Sequence, residues 1–260
     1  MDDRPNIILS PHFDDAVFSL GGFIATAPER AIVVTVFAGT PADGIAGRWD
    51  RRSGFKTATE AMRARARENE AALAVLGVAP SGIRNLDCLD RQYRRDDGPA
   101  EGLRSSIAEA LAQFGRHHDG GVNIFAPASG WHPDHGFVTD AVIELWRAGK
   151  LPGADVFLYQ DQPYAYLELR RRTLAPLRFA KLDTGGNRRG LAAEPHWFGF
   201  DDTLATRKRQ AARQYKSQFP IVRPLLIRMI EGFSRYQARA ADLSSPHAEL
   251  TYHLGTPPHS

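Results

Sequence analysis

Cysteine is almost missing from this chain: of 260 residues, only Cys88 carries a thiol. That excludes an intramolecular disulfide framework and a thiolate-rich metal centre, leaving histidine and carboxylate as the ligands open to any metal site. Long apolar runs are missing too, since charged residues break each one well short of the roughly 18–20 residues that span a bilayer. The opening "MDDRPN" has no basic segment leading into an apolar one, so a cytoplasmic protein without a membrane span is expected. No Gly-x-Gly-x-x-Gly fingerprint, P-loop or Gly-x-Ser-x-Gly elbow occurs, which sets aside several common α/β enzyme classes. Net charge is +3, with arginines gathered in "RARARE", "RQYRR", "LRRR" and "NRRG". No aromatic-interleaved basic motif accompanies them, so no nucleic-acid partner is expected.

What is present reads as an α/β chain. Continuous apolar runs at 6–10, 31–38, 83–87, 122–127 and 155–160 predict strands buried on both faces. Helical patterns at 15–20, 58–76, 102–117 and 136–148 alternate with them, which predicts a Rossmann-like, three-layer fold around a mainly parallel sheet. Beyond residue 160 the pattern loosens into helices near 202–217 and 222–235 and a last strand at "AELTYHL". With no Gly/Ser/Pro linker before it, this part is expected to be a C-terminal extension of one domain covering residues 1–260. The stretch 39–56 is the most loop-like interior segment, and loops of that length are commonly functional.

Two motifs carry chemistry. "SPHFDDAVFSLGG" follows the first strand and offers His12, Asp14 and Asp15; "SGWHPDHGFV" follows "VNIFAP" and offers His132, Asp134 and His135. In an open parallel sheet, loops after strands emerge on the same carboxyl edge, so segments distant in sequence can meet there. Two histidines and one carboxylate with an open position make a catalytic zinc site. His12 and Asp15, three residues apart, can turn to one point, and His135 is a good third ligand. Asp14 is then left as general base and His132 as a donor to the developing oxyanion. Read separately, "DD" could be a helix N-cap and "HPDH" a capped turn with solvated histidines.

"PHFDDAVFSLGG" with "HPDHGFV" resembles the signature pair of the PIG-L/LmbE-like family of zinc-dependent N-deacetylases. "RARENEAALAVLG", "LDCLDRQYR" and "KRQAARQYKSQ" resemble further family segments. The resemblance implies the LmbE-like fold and zinc on His12, Asp15 and His135. It also implies Asp14 as base, His132 as oxyanion stabiliser, and hydrolysis of an N-acetylated, GlcNAc-like amino-sugar conjugate to acetate and a free amine. Phe13 and Ala16 depart from the commoner Pro-His-Pro-Asp-Asp-Glu, which marks a divergent branch.

On the substrate side, Arg65 and Asp90 stand where similar proteins bind substrate, and Trp49 or Phe55 could stack on a sugar ring. The corresponding bland roles are a solvated helix face for Arg65, a turn for Asp90 and loop packing for the aromatics; Cys88 reads as a packing residue. A metal hydrolase of another amide or ester, a non-catalytic carbohydrate-binding protein and an Fe2+ enzyme are the rival readings.

Overall fold

The computed structural model describes residues 3–96, 98, 102–115, 120–128, 132–166, 191, 193–218 and 223–255. The arginine clusters at 169–172 and 187–190 lie outside the described residues. Seven strands form one sheet in the order β3-β2-β1-β4-β5-β7-β6. They are β1 (Asn6–Ser10), β2 (Ala31–Thr35), β3 (Ile83–Asn85), β4 (Val122–Pro127), β5 (Ala154–Tyr159), β6 (Ala193–Phe200) and β7 (His247–Leu254). The first five run parallel; β7 is antiparallel to both β5 and β6.

The helices are α1 (Asp15–Thr26), α2 (Arg48–Arg52), α3 (Ala58–Leu76), α4 (Leu103–Gly115), α5 (Pro133–Arg147), α6 (Asp202–Ala212) and α7 (Arg223–Ala240). Strand alternation sorts them into layers. Ile7, Leu9, Ile124 and Val156 face α4 and α5, packing on Ile107, Leu111, Val138 and Val142. Ile8, Val33 and Phe125 face the other way, against Val17 and Phe23 of α1, Leu73 of α3, Ala211 of α6 and Ile230 of α7. Full burial of β1 and β4 follows from cover on both faces. The expected three-layer, mainly parallel sheet is present.

Several boundaries differ from the sequence reading. The helix expected over 15–20 kinks at Leu20 but continues to Thr26, through Gly21 and Gly22. These glycines provide room: a Cβ on Gly22 would lie 2.5 Å from the Phe200 ring, and one on Gly21 would lie 2.8 Å from Lys208 Cγ. The Gly22 and Phe23 amides donate to buried Glu249, which also pairs with Lys208 at 2.6 Å. The strand expected over 31–38 ends at Thr35, and α2 lies inside the segment read as a loop. β6 has no counterpart in the sequence reading. Pro195 argues against a central strand, but β6 is the last strand of the sheet, where a missing N–H is tolerated.

Candidate active site

The strand order around β1 and β4 makes a topological switch point: β1 leads outward to β2, and β4 leads the other way to β5. The crevice at the carboxyl ends of these two strands is where ligands bind in such sheets. His12, Asp14 and Asp15 enter it after β1; His132, Asp134 and His135 enter it after β4.

Local chemistry fixes the first loop. Ser10 Oγ donates to the His12 carbonyl and accepts the Ala16 amide at 3.0 Å, taking over the task of a capping side chain. Asp14 occupies the N-cap position of α1 but makes no capping hydrogen bond, so the bland reading of "DD" fails for it. Asp15 turns back and accepts the His12 amide at 2.7 Å through Oδ2. In the second motif His132 is the N-cap, Pro133 opens α5 at a position that needs no N–H, and His135 is fully buried rather than solvated.

Three ligand-capable atoms converge. His12 Nδ1 lies 3.1 Å from His135 Nε2 and 3.3 Å from Asp15 Oδ2, and His135 Nε2 lies 3.2 Å from the same oxygen. Ligands held tetrahedrally at about 2.0–2.2 Å from an ion stand roughly 3.3–3.6 Å apart, so this triangle needs to open by only a few tenths of an ångström to take a small divalent metal. The outer nitrogen of each imidazole meets a carboxylate: His12 Nε2 lies 3.4 Å from Asp134 Oδ2, and His135 Nδ1 lies 2.5 Å from Asp161 Oδ2. In the neutral form of each imidazole the acid favours the proton on the outer nitrogen, which leaves the inner lone pair free to point into the triangle. Asp15, His135 and Asp161 also approach within 4.8 Å as a group. Asp161 sits at the opposite ring nitrogen of His135, which makes it an orienting residue rather than a ligand to the same ion.

The field of these acids draws positive charge. Burial opposes charging His12, but the hydrogen-bonding carboxylates of Asp134 and Asp15 outweigh it and hold its pKa well above the usual imidazole value. His135 is raised in the same sense, burial being outweighed by Asp15 and Asp161. Asp15 is held low: its burial is overcome by His135 and His12. Asp14 behaves oppositely, pushed up to about 7 by burial and by the Asp15 charge beside it. Burial, reinforced by His12 and His135, takes His132 down to about 3, so it is neutral near pH 7.

These groups open into a cleft of about 540 Å³ whose wall includes Phe13, Phe37, Trp49, Met62 and Tyr164. Trp49 and Asp90 both line it, while Phe55 is not among its lining residues. Asp90 is in addition a turn residue, accepting the Gln92 amide at 2.9 Å, and its Oδ2 lies 3.8 Å from His12 Nε2. Arg65 lines the cleft but is buried, its Nη2 lying 2.7 Å from Asp50 Oδ1. Tyr93 donates to Asp50 Oδ2 at 2.7 Å, so Arg65 ties α3 to α2 and the 91–93 turn instead of covering a solvated helix face. Cys88 is buried in the core, in line with its reading as a packing residue.

Sequence reasoning left Asp161, Asp134 and Asp50 without roles. Asp161 stands two residues after the end of β5 on the same carboxyl edge as both motifs, and that address is the signal that could have found it. The C-terminal part is tied in closely. The Tyr215 hydroxyl lies 3.0 Å from the Phe13 carbonyl, and the Ser217 amide donates to Glu68 at 2.9 Å.

Fold and site together define an α/β protein with a candidate metal centre of two histidines and one aspartate, and a buried carboxylate beside it. Residues 7–146 match the family described as PIG-L, GlcNAc-PI de-N-acetylase, and the chain belongs to that family. It is 35% identical over 173 residues to a 2'-N-acetylparomamine deacetylase of Streptomyces fradiae; the match spans 61% of this chain and 57% of the relative, little more than half its length. The fold is similar over 100% of both chains to the A40926 pseudoaglycone deacetylase Dbv21, with a TM-score of 0.73 and 27% identity. A zinc-inhibited form of the teicoplanin deacetylase Orf2 shares the fold at 24% identity and a TM-score of 0.72, over 98% of this chain and 100% of that one. No described helix is long and apolar enough to cross a membrane.

Proposed function

We propose that the protein is a zinc-dependent N-deacetylase that hydrolyses the acetamido group of an amino-sugar conjugate to acetate and a free amine. The observation that carries this reading is the His12–Asp15–His135 triangle with Asp14 buried beside it and not used as a helix cap. The family supports the same bond: its description names a de-N-acetylase.

His12 through Nδ1, Asp15 through Oδ2 and His135 through Nε2 would hold the ion. A zinc ion supplies polarisation of the amide carbonyl and acidification of water. Asp14 takes a proton from the attacking water. Burial and the Asp15 charge raise the Asp14 pKa above the usual carboxylate value, which strengthens it as a base and lets it return the proton to the departing nitrogen. His132, neutral by virtue of its depressed pKa, donates a hydrogen bond to the developing oxyanion and has no proton to spare for general-acid work. Asp134 and Asp161 act through the histidines they orient. Trp49 offers an aromatic face to the sugar ring, and Asp90 offers acceptors to its hydroxyls.

Two histidines and a carboxylate also suit Fe2+. A buried carboxylate poised to move protons favours hydrolysis over oxygen chemistry, and zinc is the ion assigned. The test is proton NMR of the zinc-loaded protein with N-acetylglucosaminides and with matched O-acetyl esters. Stoichiometric acetate and amine from the acetamides is expected. Ester cleavage without any amide cleavage would overturn the assignment of the bond.

A further inference from the structure

We propose that the mouth of the cleft selects substrates whose aglycone carries an oxyanion, a carboxylate or a phosphate, and that Arg48 and Arg95 read it. The proposal rests on the deacetylase reading and names the substrate class for that site. Five arginines line the cleft: Arg48, Arg65, Arg91, Arg94 and Arg95. Two of them are neutralised from behind, Arg65 by Asp50 at 2.7 Å and Arg94 by Asp134 at 2.5 Å, and both are largely withdrawn from solvent. Arg48, Arg91 and Arg95 are exposed, whereas Asp14 and Asp15 at the reacting end are buried, so the basic residues mark the mouth.

Among the described residues no carboxylate forms an ion pair with Arg48 or Arg95. Asp14 and Asp15 face the metal triangle, and Asp90 spends its oxygens on Gln92 and lies near His12. Asp96, also on the wall, accepts the Gly98 amide at 2.9 Å within its own loop.

The basic wall is also held in place. Gln92 Oε1 accepts the Trp49 amide at 3.1 Å, and the Asp50–Arg65–Tyr93 cluster joins α2 to the 91–93 turn. Arg48 and Arg95 therefore project from a fixed frame, which suits the planar, forked recognition of carboxylate and phosphate by guanidinium. A substrate presenting ammonium groups at this mouth would meet like charge.

The test compares N-acetylglucosaminides that differ only in aglycone charge: O-methyl, O-carboxymethyl, 1-phosphate and O-aminoethyl. Binding is measured by calorimetry on zinc-loaded Asp14→Asn, so that affinity is read without turnover, while acetate release by the wild type separately tests the deacetylase reading. An anionic glycoside should bind about tenfold tighter than the O-methyl compound, and the aminoethyl compound weaker. The carboxymethyl and phosphate arms tell which oxyanion is preferred. Combining Arg48→Gln and Arg95→Gln should bring the anionic glycosides within about twofold of the neutral one while leaving neutral binding unchanged. Equal affinity for all four, tightest binding of the cationic compound, or an anion preference that survives the double substitution would overturn the proposal. The last result would place the anion on the metal rather than on the wall. Failure to bind any of the glycosides at millimolar concentration would overturn it as well.

Discussion

His12 Nδ1 and His135 Nε2 face each other across 3.1 Å, although one imidazole comes from the loop after β1 and the other from the first turn of α5. Asp134 and Asp161 hold the outer nitrogens, so in the neutral imidazoles both inner nitrogens present lone pairs toward Asp15. Three ligand atoms this close together repel unless positive charge lies among them; protons on the two histidines, whose pKa values are raised, supply it in the metal-free protein, and a metal ion would take their place.

Removing an orienting acid should weaken metal binding without removing a ligand. Asp161→Asn is expected to lower zinc affinity about 10- to 100-fold with an unchanged circular-dichroism spectrum. Titration against a competing chelator measures it, and unchanged affinity would mean that Asp161 is only a packing residue.

Asp14, as the proposed base, should set the acid limb of the pH profile. Its carboxyl stands at about 7 in the metal-free protein because of burial and Asp15; a dication beside it favours the ionised form, so the midpoint in the zinc enzyme should fall below that value. Activity then rises with pH through this midpoint, because the base must be ionised to accept a proton. Asp14→Asn should lose about 10²–10⁴ in kcat while keeping zinc. Retention of both the turnover and the limb would remove Asp14 from the mechanism.

His132 should contribute no titration of its own between about pH 5 and 9, since burial and its histidine neighbours keep it neutral there. His132→Ala should reduce kcat about 10²–10³-fold with zinc content unchanged. A basic limb present in the wild type and absent from the variant would contradict the neutral-donor role.

Gly22→Ala reverses an ordinary rule. Alanine in a helix interior is normally better than glycine by about 1 kcal/mol, but a Cβ here would lie 2.5 Å from the Phe200 ring. The expected result is a loss of about 1–3 kcal/mol in denaturant unfolding. Stabilisation would show that Phe200 moves aside without cost.

The meeting of the two motifs in a candidate site was legible where the sequence pairs a strand with a cluster. His12, Asp15, His132 and His135 each follow a buried apolar strand, and parallel topology alone brings such loops to one edge. Asp161 stands in the same kind of place but alone, so pattern gives it no weight. Arg65 is unreadable for another reason: its partner Asp50 lies in a different element, and only the folded chain brings them within 2.7 Å. The end of α1 is misread because glycine is a helix stop by propensity, whereas at Gly21 and Gly22 it makes room for Lys208 and Phe200. β6 is hidden by Pro195, which edge position excuses.

The most direct measurement is metal content by elemental mass spectrometry of gently purified wild type, Asp15→Ala and His135→Ala. Near-stoichiometric zinc in the wild type, falling sharply in both variants, is the expected result. A wild type that holds no zinc and takes up none when it is supplied, or variants that keep it in full, would contradict the His12–Asp15–His135 centre.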